Sequence, residues 1–109
     1  MNKGKHYDVS LVKVGKIDEE SHFGVFGRFW WQSRDDILYP IRLEMKTLVT
    51  LNETNFINTV VKGNSTSSIQ PGYVCEANGI VSPIYDTPSG AINILYQTLF
   101  SSKQDFLVH

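Results

Sequence analysis

The residues that could do chemistry are three histidines, one cysteine, two acidic pairs and a serine flanked by proline and glycine. His6 and His109 lie near the termini, and His22 follows an acidic stretch. No two histidines stand at the helical spacing that brings a pair of imidazoles onto one metal, and Cys75 has no second cysteine to share a zinc ion. Structural or solvent-facing histidines are therefore expected, with no metal and no cofactor. Cys75 falls inside Tyr73–Ala77, which reads as a strand, where a free thiol behaves as a small buried hydrophobe. Asp35-Asp36 and Glu19-Glu20 are adjacent, and neighbouring side chains on an extended chain point apart, so neither pair forms an acid–base dyad. Ser89 lacks the Gly-x-Ser-x-Gly setting of a nucleophile elbow, and no loop is rich enough in glycine to cradle a phosphate. These residues predict no catalyst and no small-molecule substrate. They predict a module that binds another macromolecule.

The candidate for that binding is an aromatic segment. Phe23, Phe26, Phe29, Trp30 and Trp31 fall within nine positions, beside Arg28 and Arg34. One reading puts alternate rings in the core. A second follows from Trp30 and Trp31 being neighbours: on a strand they face opposite sides, so only one enters a core built on one face. The other is free for a protein partner, as tryptophan beside arginine is typical of binding hot spots, or for stacking on single-stranded nucleic acid. The candidate partner-binding residues are Arg28, Phe29, Trp30, Trp31 and Arg34.

The elements that must position this segment read as a small antiparallel sheet packed by a helix, an α+β fold. Residues 1–9 read as a polar leader and 10–109 as one domain. Ser10–Ile17 reads as a strand, Asp18–Ser21 as an acidic turn, and Phe23–Trp31 as strand-like, with its glycines marking a bulge or a close backbone approach. Tyr39-Pro40 forces an extended entry. In Arg42–Leu51, residues Leu43, Met45, Thr47, Val49 and Leu51 alternate onto one face. After a turn at Asn52–Asn55, Phe56–Lys62 is its expected hairpin partner. Tyr73–Ala77 is a third strand, ended by an Asn78-Gly79 turn. Thr87 is suited to cap a helix with Pro88 at its first position, and Ile92, Leu95, Tyr96 and Leu99 form its apolar stripe, with Leu95 and Leu99 expected to be buried.

Composition bounds the partner. The 109 residues are 41% hydrophobic and 19% charged, an ordinary globular balance, with a formal net charge of −1. A near-neutral chain lacks the global basic field of a non-specific nucleic-acid binder, leaving only a weak local contact. No apolar run reaches the ~18 residues that span a bilayer, and Met1–Ser10 has no apolar core of a secretory leader. A lone cysteine suits a reducing compartment. The sequons at Asn52-Glu53-Thr54 and Asn64-Ser65-Thr66 read as unmodified turn residues.

The motif order resembles a known family. Gly15-Lys16-Ile17 leads into the aromatic segment, then come Leu38-Tyr39-Pro40-Ile41, Met45–Val49, Phe56–Val61, Pro71-Gly72-Tyr73-Val74-Cys75 and Tyr85-Asp86-Thr87-Pro88-Ser89-Gly90-Ala91. Across roughly residues 11–100 this resembles the FYR domain, the phenylalanine/tyrosine-rich module of mixed-lineage-leukaemia-type histone methyltransferases and other chromatin regulators. Arg42 stands where that family has glycine, and Ile92 where it has an aromatic residue. The resemblance implies one α+β unit whose two halves share a sheet, a nuclear location, and a non-catalytic role docking or holding together subunits of a chromatin-associated or transcriptional complex. Thr87-Pro88-Ser89-Gly90-Ala91 is also similar to the helix-opening element of the RAMA module, which implies association with DNA beside restriction or adenine-methylation enzymes.

Overall fold

Asn52 and Glu53 both hold left-handed φ angles, 52° and 60°. Two such residues make the mirror-image turn that matches the twist of a hairpin, and Lys46–Leu51 and Thr54–Lys62 fold back on each other across it, with Leu51 opposite Thr54 and Val49 opposite Phe56. The same device recurs at Asn78 and Gly79, φ 53° and 79°, between Pro71–Ala77 and Ile80–Val81. A computed structural model describes residues 8–101. In chain order they form β1 (Val9–Lys13), α1 (Glu19–Phe23), β2 (Trp30–Gln32), β3 (Leu38–Pro40), β4 (Lys46–Leu51), β5 (Thr54–Lys62), β6 (Pro71–Ala77), β7 (Ile80–Val81) and α2 (Pro88–Tyr96), followed by a π-helical turn over Gln97–Ser101. Strands β1-β4-β5-β6-β7, in that spatial order, make one antiparallel sheet, and β2 and β3 make a separate ribbon. The α+β expectation holds.

Register places Val49, Phe56, Asn58, Val60, Tyr73, Cys75 and Ala77 on one face of the sheet. Helix α2 packs on that face at one end, chiefly over β6 and next over β5. Its residues Ala91 and Leu95 close a core with Val49, Phe56, Cys75 and Ala77. At the other end Phe29, Leu43 and Val60 form a second core, packed by Ile41, Met45, Ile69 and Tyr73. Asn58 lies between the two, opposite Thr47 on one side and Cys75 on the other. The helix opens as expected: Thr87 Oγ1 accepts from the Gly90 amide at 3.0 Å, and Pro88 occupies the first turn.

Several expectations are corrected. Asp18–Ser21 is not a free turn. Asp18 caps α1, its carboxylate accepting from the Ser21 amide at 3.0 Å and the Ser21 hydroxyl at 2.7 Å. The strand expected over Ser10–Ile17 spans Val9–Lys13, because Gly15 turns through φ 80° where a Cβ would sit 2.7 Å from the Leu43 carbonyl oxygen. Val9 therefore belongs to the sheet and not to a leader. The rest of that leader, apart from Asp8, lies outside the described residues, as do His6 and His109. The strand expected from Arg42 begins only at Lys46, since Glu44 is left-handed at φ 68° and its amide turns to the Val60 carbonyl at 2.8 Å. Phe23–Trp31 is not one strand, for Phe23 ends α1 and only Trp30 and Trp31 are in β2. Leu95 is buried, but Leu99, in the π-helical turn, is only half-buried and packs at the edge of the core with Ile92 and Tyr96.

Candidate functional site

The aromatic residues divide by direction, and the division starts at α1. Glycine at position 27 allows the chain to pass directly over α1, since a Cβ there would collide with the Ser21 carbonyl oxygen. The next residues are then locked in place: the Arg28 amide donates to Ile69 at 2.7 Å, and the Phe29 amide to Ser21 at 3.3 Å. Phe29 consequently turns fully inward, at 0% exposure, against the His22 ring. Its expected place on a binding surface is thereby corrected: it is a core residue.

His22 is the buried post on which the segment hangs. Its Nε2 donates to the Ile41 carbonyl at 2.8 Å, and in that tautomer Nδ1 accepts from the Asp18 amide at 3.0 Å. The His22 carbonyl accepts from Trp30 Nε1 at 2.8 Å, and the Trp30 ring stands edge-on to the imidazole at 6.0 Å. Trp30 is thus half-buried and directed toward α1. The helix-capping hydrogen bonds hold the Asp18 carboxyl below the usual carboxylate range.

Trp31 goes the other way. It pairs with Tyr39 across the ribbon, while Trp30 pairs with Pro40. Trp31 and Tyr39 therefore share the opposite face, with 52% and 43% of their surfaces exposed and their rings stacked 5.2 Å apart. The hairpin that presents them is built by its tip. Ser33 accepts through Oγ from the Asp35 and Ile37 amides, Asp36 takes φ 63°, and Gln32 donates to the Asp36 carboxylate at 2.9 Å. Ile37 and Leu38 are also exposed beside the tip. Tyr39 and Leu38 were not among the sequence candidates. The signal for Tyr39 is its place opposite Trp31, masked in the sequence by the proline that follows it, whereas Leu38 stands opposite Gln32 and lies on the other face.

The two arginines part company. Arg28 donates through Nη1 to its own loop, to the Val25 and Gly27 carbonyls at 3.1 and 2.9 Å. Arg34 sits exposed in the hairpin tip. Of the nucleophile candidates, Cys75 is fully buried, and burial with the neighbouring Glu76 charge pushes its thiol up to about 11. Such a group is no thiolate at neutral pH. No group of three His, Cys, Asp or Glu residues among the described residues could hold a metal ion. No described helix is long and apolar enough to cross a membrane. Comparison with protein-family models, with curated proteins and with solved structures finds no match for this chain.

Proposed function

We propose that this chain is a non-catalytic protein-interaction module that docks its partner on the outer face of the β2–β3 hairpin. The observation that carries this reading is the outward pair Trp31–Tyr39, two large rings already stacked on the ribbon, with exposed Ile37 beside them at its tip and exposed Leu38 at its edge, on the other face. Single exposed hydrophobic residues are ordinary, but a run of them on one hairpin beside an arginine matches the make-up of interface anchors. Preorganisation also lowers the ordering cost of binding. The nucleic-acid reading draws less support. The Arg28 guanidinium is engaged by backbone carbonyls, and the net charge is −1. A chromatin-associated, nuclear partner is the part of the proposal that rests on the FYR-like motifs alone.

The experiment is affinity capture followed by mass spectrometry, with wild type and folded Trp31→Ala, at low and moderate salt. The expected result is a set of proteins retained at both salt concentrations by wild type and lost from the variant. Retention by Trp31→Ala overturns the reading. So does recovery of nucleic acid alone that dissociates as salt rises, which favours the RAMA-like alternative.

A further inference from the structure

A nine-residue helix is about 14 Å long and about 10 Å wide, too small to cover five strands spaced about 4.8 Å apart. Because α2 packs chiefly over β6 and next over β5, the β1–β4 side of the same face is covered only in part: Val49 is buried, Met45, Thr47 and Leu51 are half-buried, and Val9 is exposed. The result is a groove of about 530 Å³, with Val9, Val49 and Leu51 on its floor and Pro88 and Ile92 of the helix on its wall. Its lining is mainly apolar, and its size is that of a small-molecule site.

Asn58 also lines this groove. It is 7% exposed, and its Oδ1 is the only buried side-chain polar atom without a hydrogen-bond partner among the described residues. The orientation of the amide follows from chemistry. Asn58 Nδ2 donates to the Pro88 carbonyl at 3.3 Å, and turning the amide over would set oxygen against oxygen. A buried acceptor left unpaired opposes folding, so its retention between two apolar clusters needs a use.

We propose that the groove binds a small, mainly apolar molecule carrying one hydrogen-bond donor, a hydroxyl or N–H, which Asn58 Oδ1 accepts. The apolar body covers exposed Val9 and half-buried Leu51, and a small shift of the Asn58 side chain toward the groove brings its enclosed oxygen to the single donor. This site is separate from the hairpin face and stands or falls without it.

The test compares 1-naphthol with naphthalene, followed by amide shifts in ¹⁵N–¹H spectra of the full chain. Hydrophobicity alone ranks naphthalene tighter. A donor accepted by Asn58 reverses that order, with 1-naphthol tighter by about tenfold, the effect of one well-made hydrogen bond. The shifts should saturate at Val9, Val49, Ile92 and Asn93, and the Asn58 carboxamide signals should move further with 1-naphthol than with naphthalene, which acts on them through its ring current alone. In Asn58→Leu the preference should return to naphthalene, and Trp31→Ala should change nothing. Should Asn58→Leu not fold, the wild-type ranking and the carboxamide signals decide alone. Equal or tighter binding of naphthalene to wild type, shifts centred on Trp31 and Tyr39, or no saturable binding of either probe overturns the proposal.

Discussion

The indole of Trp31 lies over the phenol ring of Tyr39, centroids 5.2 Å apart and planes 26° from parallel, on the face of the ribbon turned away from α1. Trp30, one residue earlier, donates its indole N–H to the His22 carbonyl within α1. The neighbours therefore report different things. Trp31→Ala should cost about 1 kcal/mol or less, the worth of an exposed aromatic pair, and should abolish partner capture. Trp30→Ala should cost about 2–3 kcal/mol, below the range for a fully buried tryptophan. Urea unfolding of both variants checks this, and equal losses would contradict the assignment of faces.

The helix stripe gives a second contrast. Leu95→Ala should cost about 2–5 kcal/mol, as removal of a fully buried leucine side chain does. Leu99→Ala should cost about 1–2 kcal/mol, because that side chain is half-buried. Thermal melts of the pair should differ by several degrees.

Thr87 supplies the cap of α2 through its hydroxyl. Thr87→Ala should cost about 1 kcal/mol, and Thr87→Ser should restore most of it. Chemical denaturation of the two variants separates loss of the cap from loss of the methyl group.

Cys75 makes stability fall at alkaline pH. Its thiol is pushed to about 11 in the fold, against an ordinary value near 9.0, so the folded state holds the proton more tightly than the unfolded chain. That contribution is complete below pH 9 and is lost as pH rises toward 11. Burial also raises the Tyr73 phenol, which adds a loss beginning near its ordinary value. In Cys75→Ala the decline between pH 9 and 11 should be shallower than in wild type, whatever the offset at neutral pH. The thiol of the native protein should react with a disulfide reagent only at the rate of unfolding or local opening.

Much of the sheet was legible because alternation and turn chemistry agree. Val49 and Phe56 point inward on facing strands, and Asn52, which opens the turn between those strands, is a residue that accepts left-handed φ. The cap at Thr87 was legible for the same reason, a local rule with a local cause. What could not be read was direction within the aromatic segment. Phe29 and Trp31 are both aromatic, and which turns inward depends on Gly27 crossing α1, a contact the linear pattern does not contain. Helix α1 escaped notice because five residues carry no periodicity and the element rests on its Asp18 cap. Asn58 sat unremarked within a β-branched run. Its importance comes from the area α2 leaves uncovered, which depends on where the helix lands.

Among the described residues strand β1 is bonded to β4 on one side only, and all five of its residues are exposed, with Val9 and Leu11 on one face and Val12 at the register shift. Its outer row of amides and carbonyls is a template on which another extended chain can assemble. Two features blunt it: the register shift between Leu11 and Lys13, and the Lys13 ammonium at the strand's end. The near-zero net charge provides little mutual repulsion. Colloidal behaviour should therefore hinge on one residue. Lys13→Val should leave the melting midpoint nearly unchanged while lowering the concentration at which light scattering rises.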